Sequence, residues 1–286
     1  MAPIAPQQTV GGLIREWRMH HHLSQEELAL RSELSQRHLS FLENGRSQPS
    51  RRTIVRLATA LDLPLRHRND LLLAAGYAPM YAERTIDDPQ LASIRETLEL
   101  ILNGHEPYPA FVINRNYDVI AANRSVEVFV EDLPPHLLSP RLNVVRACLH
   151  PEGLAPRLLN FETVHANLLA RLHRDLAATG STSARELIAE ISQYPGPDPS
   201  HDPLSGPLDI ATSLRLRTSR GELAFHATIA TFSTAFDITV AEFAIESFFP
   251  ADAATAAALR ATIGPTSQPS PPLAAMASQG DGRPLV

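Results

Sequence analysis

The chain has 286 residues, a formal net charge of −6 and no lysine, so every strongly basic side chain is an arginine. A hydrophobic content of 44% excludes collagen-like, coiled-coil and wholly disordered proteins. No run approaches the roughly 18 apolar residues of a membrane span, and the one cysteine, Cys148, excludes an internal disulfide or a metal site of several thiolates.

The length corresponds to about two domains of about 150 residues each. The first residues lack the charged and apolar regions of a signal peptide, so we expect a cytoplasmic protein without a membrane partner. The charge is uneven, because residues 1–80 sum to +3 and the remainder to −9. A polyanion such as DNA is therefore expected to meet only the amino-terminal part.

Five short stretches with the apolar spacing of helices follow one another between residues 10 and 75. The clearest helix start is Ser24, which can form a capping box with Glu27. Ser35 begins the third helix, and Gly45 ends it because glycine accepts the left-handed conformation there. The pattern predicts an all-helical amino-terminal domain.

The second and third helices, over residues 24–45, have the pattern of a helix-turn-helix, in which a recognition helix enters the DNA major groove. On the outer face of the third helix, Arg37 suits a guanine edge, Gln36 an adenine edge and Phe41 a thymine methyl group. The residues expected near phosphates are Gln25, Asn44, Arg46, Arg51 and Arg52. The alternative is an ordinary helical bundle with a solvated polar face. The coincidence of capping, packing and local positive charge favours double-stranded DNA as a partner.

This segment resembles the Xre family of phage-repressor-like regulators over residues 10–80, including LENGRSQPS at 42–50 and LLLAAGYAP at 71–79. The resemblance implies base contacts by Gln36, Arg37, Ser40 and Phe41. It implies backbone contacts by Gln25, Asn44 and Arg46. One residue departs from the family, because the turn position that is usually glycine is Glu33. A positive φ there would cost about 1 kcal/mol.

Residues 81–107 are predicted to be a connector with one helix of its own. Its stripe of Leu91, Ile94, Leu98, Ile101 and Leu102 is expected to dock on a second domain over 108–262. In that domain we predict strands over 109–114, 117–122, 208–218, 222–232 and 238–249. We predict helices over 123–129, 142–149, 156–179, 183–194 and 251–262. Residues 195–207 are predicted to be a proline-rich loop, and residues 263–286 a disordered tail.

The second domain resembles the ligand-binding domain of the MmyB-like regulators, whose core is similar to a PAS domain. Four blocks of sequence carry the resemblance: 108–114, 121–124, 150–157 and 244–252. The resemblance implies a small apolar ligand, with long-chain fatty acids as the best candidates, and no other cofactor.

A sheet backed by leucine-rich helices can enclose an apolar pocket. The lining candidates are Phe111, Ile113, Phe129, Val145, Leu149, Leu168, Phe225, Ile229, Phe232 and Phe243. A ligand carboxylate would need donors, and the candidates are Arg146, His150 and Arg157. The alternatives are plain core packing for the apolar residues and a solvated surface for the arginines.

We expect no enzyme and no metal site. Cys148 and His150 are two residues apart and point to different sides of a helix, and the sequence holds no phosphate-binding glycine loop or hydrolase motif.

The sequence therefore predicts an α+β protein, in which a five-helix helix-turn-helix domain precedes a PAS-like antiparallel-sheet domain flanked by helices. It is expected to regulate transcription as a homodimer whose DNA binding responds to a small apolar ligand. A DNA-binding protein whose second domain only dimerises or binds a protein partner is the first alternative, and an enzyme fused to the helix-turn-helix is the second.

Overall fold

A computed structural model describes residues 9–197, 213–232 and 234–262. Of these residues, 9–85 and 234–241 form one compact unit, and 86–197, 213–232 and 242–262 form the other. The boundary predicted at residue 80 stays a prediction, as does the separate connector. Within the described ranges, no helix is both long and apolar enough to span a bilayer.

The first unit begins with five helices, as the sequence predicts. They are α1 (Val10–His20), α2 (Gln25–Arg31), α3 (Gln36–Glu43), α4 (Arg51–Ala60) and α5 (Leu65–Ala74). Serine side chains cap three of them: Ser24, Ser35 and Ser50 each accept a hydrogen bond of 3.1 Å from the backbone N–H three residues on. These bonds satisfy donors that a helix start leaves unpaired.

After α5, the described residues form helices of 4 to 19 residues and five strands. The elements are α6 (Ala92–Gly104), β1 (Ala110–Ile113), β2 (Val119–Ala122), α7 (Glu127–Val130), α8 (Pro135–Leu138), α9 (Val144–Leu149), α10 (Phe161–Thr179), α11 (Thr182–Ile191), β3 (Ser213–Thr218), β4 (Gly221–Thr231), α12 (Ile238–Ala241), β5 (Ala244–Pro250) and α13 (Ala253–Thr262). The α+β class is confirmed.

The strands form one antiparallel sheet in the order β2-β1-β5-β4-β3. Because successive side chains in a strand point to opposite faces, β1 places Phe111 on one face and Val112 on the other. The first face carries the main core of the unit. Val112 packs on the second face with Leu98 and Leu102 of α6, so β1 is buried on both sides. The predicted docking of that helix is confirmed for these two leucines, whereas Ile101 is 39% exposed.

The strand predicted over 238–249 is wrong in its first half, where α12 forms. Asp237 Oδ1 accepts hydrogen bonds from the backbone N–H groups of Thr239 and Val240, at 3.0 and 3.3 Å. An aspartate that caps in this way starts a helix, and β5 begins only at Ala244.

The helix predicted over 156–179 is wrong at its start. A 3-10 turn, Ala155–Arg157, comes first, and α10 begins only at Phe161. Between them the backbone N–H of Leu159 donates to the carbonyl of Arg215 at 2.8 Å, so the chain there runs beside β3. The predicted loop over 195–207 and strand over 208–218 lie partly outside the described residues, and the predicted disordered tail lies wholly outside them.

Candidate nucleic-acid interface and ligand cavity

Helix α3 is held in the first unit by a close approach to α1 and by a buried ion pair. A Cβ added to Gly11 would lie 2.3 Å from the carbonyl oxygen of Leu42, so only glycine fits at this crossing. Arg18 donates from Nε and Nη2 to the two carboxylate oxygens of Glu43, at 2.6 and 3.0 Å. Gln25 Nε2 donates to the same carboxylate at 2.8 Å. These contacts join α1, α2 and the end of α3.

The predicted base-contacting residues lie on the outer face of α3. Leu39 and Leu42 are buried, whereas Gln36 and Arg37 are exposed and Ser40 and Phe41 half-buried. The guanidinium carbon of Arg37 lies 5.4 Å from the centroid of the Phe41 ring. At an exposed site such a contact contributes about 0.5–1 kcal/mol, and it holds the two side chains together on this face.

Four of the five predicted phosphate-contacting residues are exposed around α3 and α4. They are Asn44, Arg46, Arg51 and Arg52. Asn44 Nδ2 donates to the Ser40 carbonyl at 2.8 Å, which orients its amide at the end of α3. The fifth, Gln25, is half-buried and its amide is bound to Glu43, so in the free protein it is not presented as the sequence suggests.

Glu33 has the positive φ that its place in the turn predicts, at 51°. Arg56 Nη2 donates to its carbonyl oxygen at 2.8 Å and to its carboxylate at 2.7 Å. These bonds tie the turn to α4 and offset part of the strain that a side chain meets in the left-handed region.

The second unit holds a cavity of about 370 Å³ between α10 and the face of the sheet that carries Phe111. Its wall is mainly apolar and includes Phe111, Phe129, Leu168 and Phe248. Ile229 also lines it and is 52% exposed, so it lies at the mouth. A largely apolar cavity of this size is typical of a small-molecule site.

Polar groups of the cavity come together on one side. Glu246 lies on β5 with Phe111 and Ile229 as its partners on the two adjacent strands. Arg171 Nη1 of α10 donates to its Oε1, and both side chains are largely buried. Burial lowers the pKa of Arg171, but the charge and hydrogen bond of Glu246 outweigh that effect and the net shift is upward. Arg171 is therefore charged at neutral pH.

Four of the ten predicted apolar lining residues do line the cavity: Phe111, Phe129, Leu168 and Ile229. Four others, Ile113, Val145, Leu149 and Phe225, pack in the core on the same side of the sheet without lining it. The remaining two, Phe232 and Phe243, pack with α6 on the opposite face.

None of the three predicted carboxylate donors lines the cavity. Arg146 binds both carboxylate oxygens of Glu190 through Nε and Nη2, at 2.8–3.0 Å. His150 accepts a hydrogen bond of 3.1 Å from the backbone N–H of Glu152. Arg157 Nη1 lies 3.3 Å from Asp132. Each has a partner elsewhere in the unit.

Cys148 lines the cavity, which the sequence did not indicate. Burial, with a smaller contribution from the charge of Glu246, raises the pKa of its thiol to about 12. The thiol is therefore protonated at neutral pH, and a protonated thiol is a poor nucleophile.

His136, His150 and Glu152 form the one group of three metal-ligand side chains in the described ranges, with ligand atoms within 4.8 Å of one another. His136 Nε2 lies 3.4 Å from Glu152 Oε2, so a polar contact at the surface brings two of these side chains together.

Sequence reasoning missed the polar side of the cavity. Arg171 and Glu246 are 75 residues apart, so no local motif joins them. The sequence of β5 does contain an indication of this pair, because every second residue of a strand lies on the same face. Ala244, Glu246 and Phe248 therefore share one face. A carboxylate in that apolar row is informative, because buried charges are normally paired.

Comparison with known proteins gives two family matches. Residues 94–261 match the MmyB-like transcription regulator ligand binding domain, and residues 14–67 match a helix-turn-helix family.

Two individual proteins are similar to the amino-terminal part alone. The ImmF control region 10 kDa protein of Bacillus phage phi105 is 41% identical over 56 residues, which are 20% of this chain and 62% of the phage protein. The restriction-modification controller protein C.AhdI of Aeromonas hydrophila is 37% identical; the match covers 23% of this chain and 98% of that one, with a TM-score of 0.21.

Proposed function

Because this chain belongs to the family of MmyB-like transcription regulators and carries a DNA-binding helix-turn-helix, we propose that it reads a specific operator as a homodimer. We further propose that an apolar ligand of its second domain controls this binding. The proposal places the protein in the cytoplasm and gives it no enzymatic activity.

The outer face of α3 carries the proposal for DNA recognition. Arg37 and Gln36 are exposed there and have the donor and acceptor groups that read guanine and adenine edges. Ser40 and Phe41 lie beside them, and Arg46, Arg51 and Arg52 are exposed nearby to contact phosphates.

A dimer is proposed because one such helix offers few base contacts. Two recognition helices about 34 Å apart would read two half-sites of a pseudo-palindrome, one helical turn apart. A specific complex of nanomolar affinity needs about this doubled interface.

The cavity supports a ligand sensor over a scaffold that only dimerises, since a scaffold has no need of an apolar cavity of about 370 Å³. Each methylene buried there would contribute about 0.8 kcal/mol, so a fatty-acid-like chain can bind with few polar contacts. The five-stranded antiparallel sheet is compatible with a PAS-like core. The ligand acts by binding one dimer geometry better than the other, and its effect cannot exceed that difference in affinity.

Selection of operators from a random DNA pool tests the proposal, with wild type compared to Arg37→Ala and Arg46→Ala. Wild type is expected to enrich a pseudo-palindrome. Arg37→Ala should weaken operator binding by about 1–3 kcal/mol and relax the preference at one base pair of each half-site, whereas Arg46→Ala should weaken binding to all sequences alike. An Arg37→Ala protein that selects the unchanged operator would refute the base contact.

A further inference from the structure

Three side chains that can bind a metal come together on the surface of the second unit. They are His136, His150 and Glu152, and their ligand atoms lie within 4.8 Å of one another. His136 and Glu152 are exposed and His150 is half-buried, so the cluster is open to solvent. None of the three lines the cavity, so the cluster is a separate feature of the unit.

The spacing of the ligand atoms is close to that of a tetrahedral zinc site. Zinc binds imidazole nitrogen and carboxylate oxygen at about 2.0–2.2 Å, which places two ligand atoms of a tetrahedron about 3.3–3.5 Å apart. His136 Nε2 and Glu152 Oε2 already lie 3.4 Å apart. The remaining distances, of at most 4.8 Å, need only side-chain rotations to close. Three protein ligands then leave a fourth position for water.

The backbone that carries His150 and Glu152 is fixed in a tight turn. The N–H of Gly153 donates to the carbonyl of His150 at 2.8 Å, and the N–H of Leu154 donates to the carbonyl of Ala147 at 2.7 Å. A Cβ added to Gly153 would lie 2.3 Å from the same Ala147 oxygen, so only glycine fits in the turn. The two ligands are therefore held near each other before an ion binds, which reduces the entropy lost on binding.

Helix α8 brings His136 to this turn. Pro134 precedes the helix and Pro135 opens it, and the ring of each fixes its φ. Leu137 is buried in the main core and anchors the helix there. The rings of His136 and His150 meet edge to face, with centroids 5.4 Å apart. The third ligand is therefore also carried by a short, anchored segment.

Two contacts orient the ring of His150. Its Nδ1 accepts a hydrogen bond of 3.1 Å from the backbone N–H of Glu152, and the ring of Tyr194 packs against it at 80°, with centroids 5.0 Å apart. Tyr194 is itself held, because its hydroxyl donates to Glu190 Oε1 at 2.5 Å. Coordination by the ring gives up at most its bond to the Glu152 N–H, an exposed group that water can satisfy instead.

We propose that His136, His150 and Glu152 bind a divalent transition-metal ion, with zinc as the best match for two imidazoles and one carboxylate. Magnesium and calcium fit poorly because they prefer oxygen ligands. The ion joins α8 to the turn after α9. Leu133, just before α8, and Leu154, in the turn, both line the cavity, so the ion braces this part of its wall.

This site departs from the sequence-based expectation of no metal. His136 lies on a different helix from the other two ligands, so no local motif joins the three. The inference goes beyond the proposed function, because it assumes neither DNA binding nor an apolar ligand.

Calorimetric titration of zinc chloride into the full-length, untagged and metal-free protein at pH 7.5 tests the site. Wild type should bind an ion here, and magnesium chloride at the same concentrations should give no binding. His136→Gln and Glu152→Gln should each weaken zinc binding by more than about tenfold, since the loss of an outer contact alone costs about 10- to 100-fold. Both residues are exposed, and circular dichroism checks that the variants fold as wild type does.

Two control variants separate this site from other histidines. His173→Gln is the matched control, because His173 is an exposed helical histidine outside the cluster, and it should bind zinc as wild type does. The histidines at the end of α1 are removed together as His20→Gln, His21→Gln and His22→Asn, since asparagine suits the φ of 54° at His22. This variant should keep the site in the second unit.

Cobalt(II) gives a second readout that does not depend on affinity alone. Wild type loaded with cobalt(II) should show the visible absorption of a tetrahedral site, and His136→Gln should not. No zinc binding by wild type, or equal binding by wild type, His136→Gln and Glu152→Gln, would overturn the site. Binding lost only in the variant of the α1 histidines would also overturn it, and equal affinity for magnesium would overturn its assignment to a transition metal.

Discussion

Arg18 of α1 donates two hydrogen bonds, of 2.6 and 3.0 Å, to the carboxylate of Glu43 at the end of α3, 25 residues away in the sequence. The side chains are 12% and 1% exposed, so the pair lies almost wholly inside the domain. The hydrogen bond to Glu43 is the largest cause of the raised pKa of Arg18. A carboxylate so placed depends on its partner, because an unpaired buried charge is costly.

Replacing Arg18 with methionine should lower the free energy of unfolding of the amino-terminal domain by about 3 kcal/mol, the effect of leaving one member of a buried pair alone. Urea denaturation followed by the fluorescence of Trp17 measures it. In Arg18→Met with Glu43→Leu the loss should be smaller than the sum of the two single losses. Additive effects would mean that the two side chains do not depend on each other.

Two adjacent glycines of α1 should respond in opposite directions to alanine. A Cβ at Gly11 would lie 2.3 Å from the Leu42 carbonyl, so Gly11→Ala should destabilise the domain by about 1–3 kcal/mol and displace α3. At Gly12 the nearest atom is Thr9 Oγ1, a side-chain atom at 3.3 Å. Gly12→Ala should be neutral or stabilise by up to about 1 kcal/mol through helix propensity. Thermal unfolding of both variants decides this, and equal effects would contradict the close crossing.

Glu33→Gly should stabilise the domain by up to about 1 kcal/mol. The φ of 51° at Glu33 strains any residue with a Cβ. The ion pair with Arg56 that is lost is exposed and contributes little, while the hydrogen bond from Arg56 to the backbone carbonyl can remain. Glu33→Ala removes the same carboxylate but keeps the Cβ, so it should show no gain. If both variants change stability equally, strain is not the cause.

Cys148 should be almost inert to iodoacetamide in the folded protein. Burial raises the pKa of its thiol to about 12, above the value near 8.5 of an unfolded cysteine. The thiol therefore contributes stability that is fully present below about pH 8.5 and is lost as pH rises towards 12. The alkylation rate of the folded protein should keep rising up to about pH 10. The alkylation rate of the urea-unfolded chain should level off above about pH 8.5. If the alkylation rate of the folded protein also levelled off above about pH 8.5, the thiol would be accessible and its pKa unshifted.

The amino-terminal domain is predictable from the sequence because its signals are local. Ser24, Ser35 and Ser50 each bind a backbone N–H three residues away, so the residues that cap a helix stand next to it in the sequence. The spacing of Leu39 and Leu42 shows in the same way which side of α3 is buried, and it leaves Gln36 and Arg37 on the exposed side.

The cavity is less predictable because it is built from distant residues. Hydrophobic spacing identified apolar side chains but not which face of the sheet each would join, so Phe243 was expected in the pocket and lies on the other side. A sequence also does not show which carboxylate each arginine will bind. Arg146 binds Glu190, 44 residues away, and Arg171 of α10 binds Glu246 of β5, 75 residues away.

Occupancy of the cavity should change the affinity of the protein for DNA. Fluorescence anisotropy of a labelled, selected operator with the full chain, with and without saturating dodecanoate, measures this directly. We expect dodecanoate to change the Kd by about 5- to 150-fold, the range of an allosteric coupling of about 1–3 kcal/mol. This change should be lost in Leu168→Trp, in which the larger side chain fills the cavity. An identical Kd with and without bound dodecanoate would contradict the claim.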